Sequence, residues 1–461
     1  MARNLAWLYG AEGLAKVLAI YSFGSLGRLL LRERMGDLEF SLHALFVLSL
    51  VLDAGLAPYG VARASRDPGL TRSLAGRIVG LRAGLVLVCI PILALVAFSR
   101  GGDSVARQLV LWQGLVLVPG VFLLNWVFES RGEMPVVAVT NLVRQAVLAL
   151  GVTVFVGGPE DVLLVPMLDG GGFALGVAIQ VWFFRRRVGA LDLWHRRRDL
   201  ALILRESAPL SLAALAWALR LFLPGLVLGY RASSEAMGLY GPAHRLLMAL
   251  HTFVWLYFVN LLPAMARRLA AQDEPGHRRL VEGSLRLVGW TVAAGVVGGW
   301  FAAPWLIVAV YGANYAAAAL PLRLMILVLG LAFLAGHANW GLIAAQRRGD
   351  QLVASLTGAV LAVGGCVALG AEIAPASAAL VLVAAEAGAL FCATALFVRR
   401  VHTLAIWSCL LAPTAVAGGV AWFVQRTSWT PLVGGLASAA VLIVLGWVWE
   451  RGLRLKPGAS R

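Results

Sequence analysis

The feature that most constrains this chain is a succession of apolar runs, each long enough to cross a bilayer, separated by short arginine-bearing loops. About 20 apolar residues, rising 1.5 Å each in a helix, span the hydrocarbon layer. Hydrophobic residues make up 60% of the 461 residues and charged residues only 13%. The sequence therefore predicts an all-α integral membrane protein with about fourteen transmembrane helices. The first predicted helix covers Leu5–Leu31, the fourth Ala106–Phe128 and the last Leu432–Trp449.

The basic residues orient these helices. Loops on the side of the amino terminus carry Arg63, Arg66, Arg72, Arg77, Arg131, Arg185 to Arg187, Arg196 to Arg198, Arg205, Arg267, Arg268, Arg278, Arg279, Arg347, Arg348, Arg399 and Arg400. The opposite side carries only Arg32, Arg34, Arg100, Arg231 and Arg426. The positive-inside rule then places both termini in the cytoplasm of a multi-pass protein. Arginine in place of lysine, with abundant glycine and alanine, is typical of GC-rich bacterial genomes, so we expect the bacterial plasma (inner) membrane.

Several classes of function are excluded by what the sequence omits. The net charge of +16 fits a cytoplasmic rim that faces anionic headgroups, and no nucleic-acid-binding motif accompanies it. Cys89, Cys366, Cys392 and Cys409 all lie within predicted helices without C-x-x-C spacing, so we expect no metal and no disulfide. No phosphate-binding G-x-x-x-x-G-K-[ST] loop and no long hydrophilic loop is present. We expect neither an enzyme nor a cofactor.

An internal repeat relates helices six apart. The paired motifs are Met35-Gly36 with Met237-Gly238, and Arg131-Gly132-Glu133 with Arg348-Gly349-Asp350. The repeat predicts two six-helix lobes of the same orientation, residues 1–190 and 191–402, followed by two further helices and a cytoplasmic tail at 403–461. Parallel repeats of this kind are typical of transporters whose substrate path lies between the lobes. The alternative is chance similarity between apolar sequences.

Six short stretches carry a family resemblance. They are Asn4 to Arg28 with Trp7 and Lys16, Leu52-Asp53-Ala54-Gly55-Leu56, Asn125-Trp126-Val127-Phe128-Glu129, Glu206-Ser207-Ala208-Pro209-Leu210, Met237-Gly238-Leu239-Tyr240, and Tyr311-Gly312-Ala313-Asn314-Tyr315. In this order the stretches resemble the polysaccharide-repeat (Wzx-type) flippases of the multidrug/oligosaccharidyl-lipid/polysaccharide exporter superfamily. The resemblance implies a polyprenyl-diphosphate-linked oligosaccharide as substrate, carried to the outer face. It also implies membrane lipids, a polysaccharide polymerase and glycosyltransferases as partners. The chain departs from the family at Leu223-Pro224-Gly225, where many members have an aspartate.

Ionisable residues inside the predicted helices are the candidate site, because each costs roughly 2.5–3.5 kcal/mol at a helix centre without a partner or water. We predict that Lys16, Arg28, Arg144, Arg220 and Arg245 bind substrate and that Glu12 and Asp53 couple transport to a proton or ion. Glu12 lies four residues before Lys16, on the same helix face, and Asp53 lies at a similar depth. A Glu12–Lys16–Asp53 cluster is therefore feasible. The alternative is a salt bridge that joins two helices, and for Asp53 a structural role is the favoured reading.

The cationic residues among these candidates predict a central cavity that attracts a diphosphate, in a flippase that works by alternating access. A cation-coupled drug or small-molecule exporter of the same superfamily is the first alternative, and it would need a cavity rich in acids. A non-transporting membrane component of a polysaccharide assembly complex is the second. The short outer loops argue against a membrane-embedded polymerase or glycosyltransferase.

Overall fold

All regular secondary structure in the described part of the chain is helical. The computed structural model describes residues 2–100, 103–192, 197–370, 373–401 and 408–454. The α-helices are α1 Ala2–Leu29, α2 Arg32–Asp53, α3 Leu56–Arg66, α4 Thr71–Ser99, α5 Ser104–Gly114, α6 Leu117–Gly120, α7 Asn125–Ser130, α8 Met134–Phe155, α9 Leu164–Arg187, α10 Arg197–Arg231, α11 Ser234–Ala270, α12 Glu274–Tyr311, α13 Ala319–Ala344, α14 Arg348–Ala368, α15 Pro375–Arg400, α16 Leu411–Gln425 and α17 Pro431–Arg454. Within the described ranges, twelve helices are long and apolar enough to span a membrane. The predicted all-α membrane fold is confirmed.

The fourth predicted helix is interrupted, so its prediction as one continuous span was wrong. The segment consists of three pieces, α5, α6 and α7, instead of a single helix. Proline lacks the backbone N–H that a helix needs and disfavours helical backbone in the residue before it, and Pro119 lies within α6. The chain leaves helical geometry at Leu124, where φ is −112° and ψ is 21°.

The helices pack as two compact units. The first unit contains Met1–Gly241 and Val310–Gly312, and the second contains Pro242–Ala309 and Ala313–Arg461. In this division α10 packs with the helices before it, whereas the repeat would place it in the second lobe. The lobes at 1–190 and 191–402 therefore stay a prediction from the repeat and do not coincide with the compact units.

In the first unit, α1 packs against α8, α8 against α9, and α2 against α5 and α10. The hydroxyl groups of Tyr21 and Thr153 form a 3.1 Å hydrogen bond between α1 and α8. Trp126 of α7 is fully buried, and its ring packs so closely on Gly60 of α3 that a Cβ there would lie 2.6 Å from it. The pieces of the interrupted helix are thus fixed by packing as well as by polar contacts.

In the second unit, α13 and α14 both pack against α15, and α16 packs against α17. A fully buried histidine joins three of its helices. His337 Nε2 lies 2.7 Å from the Ser284 hydroxyl, which lies 2.7 Å from the hydroxyl of Tyr257. The side chains of His337, Ser284 and Tyr257 thus have hydrogen-bond partners inside the protein, so these hydrogen bonds need no water.

The two copies of the repeated Met-Gly motif contact each other at the start of α2 and α11. A Cβ on Gly36 would lie 1.7 Å from the carbonyl oxygen of Ser234, and a Cβ on Gly238 would lie 2.1 Å from that of Arg32. Close backbone approach through glycine is a common way for membrane helices to pack. The glycines of this motif therefore have a packing role.

We expect Gly36→Ala to destabilise the protein, because the methyl group would force the two helix starts apart. Overpacking of this kind costs about 1–3 kcal/mol. The measurement is thermal unfolding in detergent micelles. Gly80→Ala in α4 is the matched control, because a Cβ there meets nothing within 4 Å. Equal melting temperatures for the two variants would contradict the close contact.

Candidate functional site

The break in the fourth helix is held by side chains from two other helices of the first unit. Arg82 Nη1 of α4 donates a 2.6 Å hydrogen bond to the carbonyl oxygen of Leu123. The Leu124 N–H donates a 3.0 Å hydrogen bond to Oε1 of Gln180 in α9. A bilayer interior offers no water to irregular backbone, which is tolerated only where it is buried in protein or lines a cavity. These two contacts satisfy that requirement.

Asp53 connects the same arginine to the end of α2. Arg82 Nη2 donates to Asp53 Oδ1 at 2.6 Å, and the Arg82 side chain is only 3% exposed. Asp53 Oδ1 also accepts the N–H of Ala57 at 3.2 Å, at the start of α3. Between the two helices Ala54 and Gly55 adopt positive φ, 46° and 70°. Asp53 therefore pairs with α4 and caps α3, which supports the structural reading.

Arg144 and Asp169 form a bidentate ion pair between α8 and α9. Arg144 Nε donates to Asp169 Oδ1 at 2.8 Å, and Nη2 donates to Oδ2 at 2.7 Å. Gln113 of α5 donates a 3.3 Å hydrogen bond to the same carboxylate. Two parallel hydrogen bonds make this the strongest geometry for an arginine–carboxylate pair. A diphosphate that bound Arg144 would have to compete with Asp169.

A cavity of about 300 Å³ lies next to this pair and the helix break. Its polar lining comes from Asn125, Thr140, Asn141, Arg144 and Gln180. Gln180 Nε2 donates to Asn125 Oδ1 at 2.5 Å and to Thr140 Oγ1 at 3.0 Å. Amide and hydroxyl groups around a membrane-embedded cavity can hold water or a polar ligand, and discontinuous helices often line such sites in transporters.

A third ion pair lies near the start of α2 and at the end of α4. Arg100 Nη2 lies 2.9 Å from Asp37 Oδ1, and their side chains are 5% and 2% exposed. The hydroxyl group of Ser234 donates to the same oxygen at 2.6 Å, which brings in α11. Nearby, Arg34 lies 2.7 Å from Asp103. Hydrogen bonds from Arg34 and from the Ala106 N–H lower the pKa of Asp103, which caps α5.

Glu133 gives the arginine-glycine-acid motif before α8 a structural role. It accepts a hydrogen bond from Arg131 at 2.9 Å and another from Arg187 at the end of α9. Burial alone would raise the pKa of Glu133, but the two arginines outweigh burial and lower it. Gly132 between them has a φ of 68°, which favours glycine.

The sequence was compared with models of known protein families. A family model described as "Polysaccharide biosynthesis protein" matches residues 1–268, more than half of the chain. The chain belongs to this polysaccharide biosynthesis family. No curated protein matches the sequence.

The fold of this polysaccharide biosynthesis protein is found in solved transporters. A lipid II flippase MurJ in an inward closed conformation matches with a TM-score of 0.77 at 10% identity, over 97% of this chain and 99% of that chain. An inward-facing multidrug resistance MATE family transporter of the MOP superfamily matches at 0.62 and 15% identity, over 88% and 95%. A MOP superfamily transporter from Pyrococcus furiosus matches at 0.60 and 14%, over 89% and 96%. The resemblance found in the sequence motifs is confirmed for family and fold.

The other predicted site residues lie on several helices. Lys16 is half-buried in α1, Arg28 is exposed near the end of α1, and Arg220 is buried in α10 at 6% exposure. All three belong to the first unit, as do Arg144 and Asp53, whereas Arg245 is half-buried in the second. The side chain of Glu12 lies outside the described residues. Lys16, Arg28, Arg220 and Arg245 each interact with other groups of the protein. Their binding roles stay predictions.

Sequence reasoning missed Arg82 and Asp169, the partners of two residues that it selected. Each is a charged residue within an apolar run, which is the same signal that selected Arg144. Gln113 and Gln180 give a weaker signal, because an uncharged amide costs less to bury than a charge. With these partners included, Arg82 and Arg144 do not contribute to a cationic excess.

We expect Arg144→Gln to destabilise the protein by about 3–5 kcal/mol, because it leaves the Asp169 carboxylate buried without its partner. Asp169→Asn should do the same. The double variant Arg144→Gln/Asp169→Asn should be more stable than either single variant. Thermal unfolding in detergent measures this, with exposed Arg66→Gln as control. Additive losses in the double variant would contradict the pairing.

Proposed function

We propose that this protein is a flippase that moves a polyprenyl-diphosphate-linked oligosaccharide from the cytoplasmic to the outer leaflet of a bacterial plasma membrane. The observation that carries the proposal is the full-length correspondence in fold with a lipid flippase, at a TM-score of 0.77, in a chain of the polysaccharide biosynthesis family. The family description supports a polysaccharide precursor as cargo, and the shared fold supports its movement across the bilayer. Both termini lie in the cytoplasm in this proposal.

Two cations in the first unit are proposed to bind the diphosphate first. Arg220 is buried in the apolar helix α10, and its planar guanidinium can donate two hydrogen bonds to phosphate oxygens. Lys16 is half-buried in α1, and its compact ammonium group offers three hydrogen-bond donors. Arg28 and Arg245 are proposed to bind the headgroup at other stages of alternating access. Arg144 joins them only if its pair with Asp169 opens.

The membrane potential can drive the proposed movement. Two negative charges that move outward across an inside-negative potential of about 100 mV gain roughly 4.6 kcal/mol, provided that no protein charge moves with them. The sequence has no nucleotide-binding loop that would supply energy from ATP. Glu12 is proposed as a coupling residue. Asp53, which the sequence also selects for coupling, is proposed to be structural through its contacts with Arg82 and Ala57. The proposed protein partners are the polymerase and glycosyltransferases that consume and produce the lipid-linked sugar.

A cation-coupled exporter is the second candidate, because a fold match and the presence of buried carboxylates favour it. The fold matches a multidrug resistance MATE transporter at a TM-score of 0.62, and the first unit contains membrane-embedded carboxylates such as Asp169. The Pyrococcus furiosus transporter was described by a reverse polarity of its binding pocket that suggests a different function. The sign of the charge in the binding pocket therefore distinguishes the two candidates: a flippase for a diphosphate needs a cationic pocket, and a cation-coupled exporter needs an acidic one.

We expect the purified protein in proteoliposomes to flip a fluorescent polyprenyl-diphosphate sugar. Lys16→Ala and Arg220→Gln should each slow flipping about tenfold or more, because each variant loses one charge-assisted hydrogen bond to the diphosphate. Arg66→Gln should flip at the native rate. Flipping is measured by loss of fluorescence when a membrane-impermeant quencher is added.

Two outcomes would contradict parts of this proposal. Cation-driven efflux of a small cationic dye, with no flipping by the folded native protein, would favour the exporter. Flipping at the native rate by both variants would leave the flippase function in place and remove Lys16 and Arg220 from the binding site.

A further inference from the structure

A membrane-facing groove of about 780 Å³ lies between α12 and α17 in the second unit, apart from every residue considered above for transport. Its lining is mostly apolar and includes Leu287, Trp290, Gly295, Ile443 and Trp447. Both helices are long enough to span the membrane. The groove therefore follows two transmembrane helices side by side.

Close packing forms the floor of the groove and exposed side chains form its walls. In the groove itself a Cβ on Gly446 would lie 2.8 Å from the Trp290 ring. Beyond the groove, a Cβ on Gly435 of α17 would lie 2.6 Å from the Gly298 carbonyl oxygen of α12. Leu287, Ile443 and Trp447 stand at 62%, 60% and 55% exposure beside this contact. In a membrane, such a groove is filled by hydrocarbon.

One end of the groove carries a cation and an anion. Arg286 of α12 and Glu450 of α17 both line it, and both lie within electrostatic range of the Cys409 thiol. Among the residues that the structure describes, neither forms a salt bridge. The guanidinium of Arg451 stacks on Trp447 at 3.7 Å at the same end. The positive-inside rule places this end at the cytoplasmic surface, where aromatic and basic residues meet lipid headgroups.

We propose that this groove binds one aminophospholipid of the cytoplasmic leaflet, of the phosphatidylethanolamine type. Arg286 binds the phosphate, since a planar guanidinium can donate two hydrogen bonds to phosphate oxygens. Glu450 accepts a hydrogen bond from the ammonium group. The hydrocarbon chain lies along the floor at Gly295 and Gly446, between the exposed walls.

The glutamate distinguishes this lipid from the anionic alternatives. A headgroup that carries negative charge without an amine, such as phosphatidylglycerol or a polyprenyl diphosphate, would satisfy Arg286 but would face the like charge of Glu450. An aminophospholipid complements both side chains. The site is proposed independently of the flippase function, since none of its residues is assigned to transport.

The test is native mass spectrometry of the full chain, released from micelles that contain equal amounts of phosphatidylethanolamine and phosphatidylglycerol. We expect one retained phosphatidylethanolamine in preference to phosphatidylglycerol. Arg286→Gln should weaken retention of both lipids about tenfold, as expected for a lost charge-assisted hydrogen bond. Glu450→Gln should abolish the preference and leave retention of phosphatidylglycerol unchanged or stronger.

A charge-neutral variant tests the hydrocarbon part of the groove. Gly295→Leu should fill the groove without a clash and lower retention of both lipids, because a Cβ at Gly295 meets nothing within 4 Å. Gly418→Leu on α16, which is equally open and exposed, is the matched control. Equal retention of the two lipids by the native chain, or unchanged retention in Gly295→Leu, would overturn the proposal.

Discussion

The hydrogen bond from Arg82 to the carbonyl oxygen of Leu123 is the contact on which the first unit most depends. A membrane helix can be interrupted only if the freed backbone groups find partners inside the protein. Arg82 supplies one such partner and Gln180 the other, at adjacent residues. The break allows α7 to turn its buried Trp126 into the packing with α3. It also leaves Leu123 and Asn125 to line the polar cavity.

The buried and half-buried charges of the first unit have two kinds of role. Arg82 with Asp53, Arg144 with Asp169 and Arg100 with Asp37 are ion pairs that connect helices of the first unit. Lys16 and Arg220 are the residues that we propose for substrate binding. Since a buried ion pair gains little net stability over apolar packing, its use is often to specify one arrangement. Here the three ion pairs hold helices of the first unit, which also contains the proposed binding residues Lys16 and Arg220, in one arrangement.

The sequence was sufficient for the membrane class and for most helix positions, because apolar length alone decides whether a segment spans a bilayer. It did not reveal the interruption of the fourth helix, because the segment from Leu115 to Leu124 is as apolar as a continuous span. It selected Asp53 and Arg144 but not their partners, since pairing depends on which helices are neighbours. The depth of Asp53, similar to that of Glu12, made a cluster with Glu12 and Lys16 feasible, whereas its carboxylate binds Arg82 of α4. Depth can be read from a sequence, but the direction of a side chain within the bundle cannot.

The most direct measurement is the stability of Arg82→Met and of the double variant Arg82→Met/Asp53→Asn, by thermal unfolding in detergent. The asparagine side-chain oxygen can still accept the Ala57 N–H at the start of α3. Neutralising both partners of an ordinary ion pair costs less than neutralising one of them. The present account predicts that the double variant stays destabilised by about 1–3 kcal/mol, because the Leu123 carbonyl group loses its protein donor where the backbone is irregular. A double variant as stable as the native protein would show that the interrupted helix does not depend on Arg82.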